Sequence, residues 1–283
     1  MTSTPLIDAA ALRARLGEPT LIVVDCRFNL QEPTAGRAAY DRGHIPGARY
    51  ADLDRDLARA PTASEGRHPL PDPAAFATTL GDWGIGPADT VVAYDEASGA
   101  IAARLWWLLG WLGHRATWVL DGGFAAWQSA GLPVETASPA WSPKRYPAPA
   151  TTAATVVATS DIQARQRAGD LVVDARGAVR YRGDQEPIDP VAGHVPGARN
   201  WPYSNNSAAG VFRPAAELRR DLLQLFEGRE PRQVIAMCGS GVTACQLLLA
   251  MAVAGLDGGS LYAGSWSEWI RDPQRPIRTG ADP

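Results

Sequence analysis

Val234-Ile235-Ala236-Met237-Cys238-Gly239-Ser240-Gly241-Val242-Thr243-Ala244 runs from a short apolar stretch, through a lone cysteine and a small-residue loop, into the apolar helical segment Cys245 to Ala254. Strand, loop and helix N-terminus in that order make an anion-binding device. Successive backbone N–H groups turn toward one point, and the helix dipole adds roughly half a positive charge there. A sulfur at that point is favoured as its anion, so Cys238 is a candidate nucleophile. Gly239 and Gly241 suit the loop because glycine takes positive φ and leaves no Cβ in the way. A simpler reading stands beside this one: Cys238 as a small buried hydrophobe that closes the strand.

Working outward, the same kind of unit recurs. Leu21-Ile22-Val23-Val24-Asp25, Thr90 to Tyr94 and Thr117 to Leu120 read as buried strands, with helical segments at Asp8 to Arg15, Ala74 to Trp83 and Ile101 to Leu112. Trp106, Trp107 and Trp111 in the last of these are expected to pack internally. Strands alternating with helices imply a parallel sheet with helices on both faces, an α/β fold. The pattern then restarts. Val172-Val173-Asp174 repeats Val23-Val24-Asp25, and Arg176 repeats Arg27. Gly193-His194-Val195-Pro196-Gly197-Ala198-Arg199 repeats Gly43-His44-Ile45-Pro46-Gly47-Ala48-Arg49, and Leu261 to Trp269 repeats Leu120 to Trp127. Two tandem copies of one domain follow. They are placed at residues 5–136 and 154–279, joined over 137–153 by a proline-rich linker. Aligning the copies sets Asp95 opposite Cys238, so the first copy lacks the nucleophile.

A length of 283 residues suits two domains, and 46% hydrophobic with 20% charged residues supplies two cores without a disorder signature. The net charge of −3 argues against nucleic acid or an anionic membrane as partner. No apolar run is long enough to span a bilayer, and the N-terminus has no secretory core. Three cysteines without paired spacing, four scattered histidines and no Cys-x-x-Cys point to a reducing cytoplasm and no metal site.

The doubled Gly-His-(Ile/Val)-Pro-Gly-Ala, the Asp-x-Arg after the first strand of each half, and Cys-Gly-Ser-Gly-Val-Thr-Ala together resemble the tandem-domain rhodanese-type sulfurtransferases. The loop is similar to that of their 3-mercaptopyruvate branch. The resemblance implies two rhodanese-like domains and double displacement without a cofactor. A Cys238 thiolate takes the donor's sulfur as a persulfide, which an acceptor then removes; cyanide, a small thiol or thioredoxin are the implied acceptors. The residues themselves agree: the N–H groups of Gly239, Ser240, Gly241, Val242 and Thr243 form a cradle for thiolate and persulfide, with Thr243 expected to cap the helix. The resemblance further implies that Arg180, six residues after Asp174, binds the donor's carboxylate, a role suited to a guanidinium fork. A serine at the place of Ser240 is held in that branch to work with a histidine and an aspartate, and His44 matches the histidine by its motif. Because His44 repeats as His194, holding the loop together is the competing reading for it, as it is for the repeated Asp25, Asp174, Arg27 and Arg176.

The chain departs from the branch at Glu186-Pro187-Ile188-Asp189, where Ile188 stands in place of a usual second arginine. That leaves the donor open, with thiosulfate sulfurtransfer as one alternative and a non-catalytic binding or regulatory module as another. A loop without cations argues against the thiosulfate dianion. A cysteine phosphatase needs an arginine six residues after its cysteine, and Ala244 occupies that position.

Overall fold

Val23, Val92 and Tyr94 share one core with Leu12, Leu120, Phe124 and Trp127, while the intervening Ile22, Val24, Val91 and Ala93 are buried as well. Both faces of the first sheet are therefore covered, which is why its strands read as unbroken apolar runs. The computed structural model describes residues 4–148, 152–153 and 155–283. Residues 149–151 of the expected linker and residue 154, the expected start of the second domain, lie outside them.

The chain divides into two units. The first comprises Met1–Arg59, Leu70–Ala154 and Ala209–Phe212. Its main sheet is parallel throughout, with strands in the order Leu6–Ile7, Thr117–Leu120, Thr90–Tyr94, Leu21–Asp25, Arg49–Tyr50. Helices Ala9–Arg15, Pro73–Asp82, Ala102–Trp111 and Gly123–Ser129 alternate with them. Asp8 caps the first of these by accepting the Ala11 N–H at 2.7 Å, and Asp72 caps the second ahead of Pro73. Trp107 and Trp111 are buried and stacked, their rings 5.9 Å apart.

The second unit comprises Ala60–Pro69, Thr155–Ala208 and Arg213–Pro283. Its parallel strands follow the same order, Ser260–Leu261, Val234–Met237, Leu171–Asp174, Arg199–Asn200, with Val156 bridging Leu261 at the outer edge. Trp266, Trp269, Tyr262, Ile235 and Met237 form its core. The segment Ala60–Pro69, which lies in the sequence between elements of the first unit, packs with the second. Sequence periodicity does not report such an exchange.

The repeated motifs form the same corner in each unit. Arg27 chelates Asp25 and donates to the Gly43 carbonyl at 2.7 Å; Arg176 does the same with Asp174 and Gly193. His44 stacks on Tyr40 with ring centroids 3.9 Å apart and its Nδ1 lies 2.8 Å from the Tyr40 carbonyl. His194 repeats both contacts with Tyr181, at 3.8 Å and 2.8 Å. The described part of the linker forms no helix or strand, yet it is fastened to the first unit. Trp141 Nε1 donates to the Asp82 carbonyl, Lys144 pairs with Asp89, and Tyr146 meets His114.

Candidate functional site

Cys238 ends the strand Val234–Met237 at the carboxyl edge of the second sheet, where open α/β sheets place their ligands. Its thiol is buried, with 2% of the residue exposed. Two backbone bonds lock the loop to the helix Ser265–Trp269: Trp266 N–H donates to the Cys238 carbonyl at 3.0 Å and Ser267 N–H to that of Gly239 at 2.9 Å. Ser265 accepts the Cys238 N–H at 3.0 Å and donates to the Tyr262 carbonyl at 2.8 Å. These bonds hold Ser265 at φ +54°, a left-handed conformation that costs a serine roughly 1–3 kcal/mol. Gly241, at φ +76°, has no room for a side chain, since a Cβ there would stand 2.4 Å from the Ala263 oxygen.

Among the described residues, the N–H groups of Gly239, Ser240, Val242 and Thr243 donate to no protein acceptor. The helix begins at Thr243, two residues earlier than the sequence suggests. Thr243 is its first helical residue and not its cap; the cap position is Val242, which has no side-chain oxygen to take an N–H. The helix end thus keeps its donors for an anion at the loop. The loop can hold a thiolate or persulfide sulfur with backbone donors alone.

Arg180 lies midway along the short helix Ala178–Arg182, held by Glu186 (2.7 Å) and Asp189 (3.0 Å). Burial alone pushes the Glu186 carboxyl up, but hydrogen bonds from Arg180 and from the Asp189 and Ile188 N–H groups outweigh it and hold the carboxyl below its usual range. Ile188 is 39% exposed and carries no charge to the site. A second cation arrives nonetheless, from a residue that sequence reasoning passed over. Arg67 pairs through Nη1 with the other oxygen of Asp189. A Cβ on Gly239 would stand 2.9 Å from Arg67 Nη2 and 3.6 Å from Arg180 Nη1. The loop has no cation of its own, but two guanidiniums face it.

The histidine that meets Ser240 is His68, whose Nδ1 lies 2.7 Å from Ser240 Oγ; both side chains are buried. His44 was the histidine expected at that place. Its ring is instead fully buried in the first unit's corner, committed to Tyr40 and 3.6 Å from Glu135, as its repeat His194 is committed to Tyr181. His68 sits in a turn-rich stretch, and its partner is 172 residues away. Nothing local to Arg67-His68-Pro69 announces it. Cys245, one turn into the helix, points its thiol at the Gly241 carbonyl, 3.3 Å away, and Cys26 is buried with its thiol pushed well up by that burial.

Among the described residues no group of His, Cys, Asp or Glu side chains could hold a metal ion, and no helix is long and apolar enough to cross a membrane. The family of rhodanese-like domains matches the chain twice, over residues 8–130 and 158–272. A Pseudomonas aeruginosa protein named "Probable 3-mercaptopyruvate sulfurtransferase" is 47% identical over 285 residues, 99% of this chain and 100% of that protein. A Mycobacterium tuberculosis protein named "Putative thiosulfate sulfurtransferase" is 40% identical, covering 97% of each. Among solved structures, the 3-mercaptopyruvate sulfurtransferase from Leishmania major superposes with a TM-score of 0.83 at 31% identity, over 96% of this chain and 76% of that one.

Proposed function

The chain belongs to the rhodanese-like domain family, of which it carries two copies, and on that premise we propose that it is a sulfurtransferase using 3-mercaptopyruvate as donor and Cys238 as nucleophile. The observation that carries this reading is the cysteine loop itself: a thiol at a strand end, N–H groups of Gly239, Ser240, Val242 and Thr243 with no acceptor among the described residues, and a guanidinium beside Gly239. The Cys238 thiolate attacks the donor sulfur and the carbon–sulfur bond breaks, its electron pair leaving as the enolate of pyruvate. The proton of the donor thiol ends on that carbon, so the products are pyruvate and a Cys238 persulfide anion. Ser240 and His68, joined by their hydrogen bond, are placed to carry the proton. Gly239, Ser240, Gly241, Val242 and Thr243 form the cradle that stabilises the persulfide, and no cofactor takes part. Arg180 binds the donor's carboxylate. A thiol acceptor such as thioredoxin or a small thiol, or cyanide, then takes the outer sulfur and returns the thiolate. Three free, buried cysteines suit a reducing compartment such as the cytoplasm.

A second reading, thiosulfate as donor, draws support from the two guanidiniums at Gly239, which supply cations for a dianion from outside the loop. Intact mass after exposure to each donor separates the two. A gain of one sulfur, about 32 Da, is expected with 3-mercaptopyruvate. A gain with thiosulfate alone favours the second reading, and no gain from either overturns both.

A further inference from the structure

Arg67 does more than balance Asp189. Its main chain is pinned to the helix that also holds the cysteine loop: Arg67 N–H donates to Ser267 Oγ at 3.1 Å, and the preceding Gly66 N–H to Glu268 at 3.2 Å. Asp189 offers one carboxylate oxygen to Arg67 and the other to Arg180, so a single buried carboxylate fixes the spacing of the two guanidiniums. Each keeps donors in reserve. Arg67 Nε is buried without a hydrogen-bond partner, and neither Arg67 Nη2 nor Arg180 Nη1 donates to any described residue. A buried donor left unpaired is costly, and an arriving anion relieves that cost. The spare groups converge beside Gly239, next to the nucleophile.

We infer that Arg67 binds the donor's carboxylate jointly with Arg180, as the second half of a two-guanidinium anion site. It takes the place that Ile188 leaves without charge and selects an anionic donor. This rests on the sulfurtransferase reading for the identity of the donor, though not for the presence of an anion site.

The test uses the full-length protein and Arg67→Gln, with two measurements. The first is the KM for 3-mercaptopyruvate with cyanide as acceptor, together with intact mass at saturating donor. The second is the rate at which Cys238 is alkylated by iodoacetate, which carries a carboxylate, and by uncharged iodoacetamide. Arg67→Gln is expected to raise KM about 10–100-fold while the one-sulfur mass gain is kept. It is expected to slow iodoacetate about tenfold and iodoacetamide by less than about twofold. Asp189→Asn, which cuts the same ion pair while leaving both guanidiniums, is expected to keep or raise the iodoacetate rate. An unchanged KM, both reagents slowed alike, or Asp189→Asn reproducing Arg67→Gln overturns the inference and leaves Arg67 a structural partner of Asp189. A wild-type protein that gains no sulfur from 3-mercaptopyruvate, yet loses iodoacetate selectivity on Arg67→Gln, overturns the donor and keeps the anion site.

Discussion

The loop after Tyr94 and the loop after Met237 are one backbone design with two contents. Phe124 N–H donates to the Asp95 carbonyl and Ala125 N–H to that of Glu96, as Trp266 and Ser267 do to Cys238 and Gly239. Gly123 takes the left-handed conformation at φ +56° where Ser265 takes it at +54°. In the first unit, however, the loop is filled by its own carboxylate. Asp95 accepts N–H groups from Ala97, Gly99, Ile101 and Ala102 at 2.8 to 3.2 Å. Burial pushes that carboxyl up, and the four N–H groups pull against it. In the second unit the N–H groups of Gly239, Ser240, Val242 and Thr243 have no acceptor among the described residues, and the side chain is a thiol. The first loop meets a carboxylate through backbone N–H groups alone. A residue that supplies its own acceptor fills such a loop, whereas a thiol leaves N–H groups over.

The largest expected effect comes from making the second loop like the first. Cys238→Asp, like Cys238→Ser, is expected to reduce sulfur transfer to background with the fold intact, since neither side chain can carry a sulfane sulfur. Transfer that survives in Cys238→Ser breaks the comparison. The reverse exchange sharpens it: Asp95→Cys is expected to leave the mass gain at one sulfur per chain. Glu96 stands where Gly239 stands in the second loop and repels an anionic donor, so a second sulfur on that variant shows the loop alone suffices.

Arg180→Ala is expected to raise the donor KM about 30-fold, the loss of roughly 2 kcal/mol from a charged hydrogen-bond pair, with a smaller change in kcat. An unaltered KM places the carboxylate elsewhere. Asp95→Asn leaves two or more N–H groups short of an acceptor. Denaturant unfolding is expected to show a loss of about 1–3 kcal/mol, with persulfide formation unchanged.

The smallest effect concerns pH. The Glu186 carboxyl is held below its ordinary value, so its contribution to stability is present above the unfolded value of about 4.3 and fades as pH falls through the lower folded one. The stability gap between wild type and Glu186→Gln is therefore expected to be constant near neutrality and to close in acid. A gap that widens in acid reverses the sign of the argument.

Much of the first unit's pattern is legible locally. Leu21–Asp25 and Thr90–Tyr94 begin and end where their apolar runs do, because a strand covered on both faces must be apolar throughout. Helix ends were less legible. Thr243 looks like a cap by residue type, yet the helix already includes it and Val242, without a side-chain acceptor, occupies the cap position. His44 misled for a related reason. Its motif is distinctive because it builds the corner with Tyr40, and a residue fixed by packing leaves as strong a pattern as one fixed by chemistry.

The sequence by itself determined the doubled α/β architecture and the lone cysteine at a strand end, which follow from local order and from comparing one half of the chain with the other. Arg180 was marked by the family resemblance, since the first half has Gln31 at the corresponding place. Only the tertiary structure decided that Ala60–Pro69 packs with the second unit, and so that Arg67 and His68 reach Gly239 and Ser240. The contacts concerned join residues 172 positions apart. Turn chemistry and periodicity report on neighbours along the chain, whereas ion pairs and hydrogen bonds at a site depend on where the folded backbone brings distant side chains together.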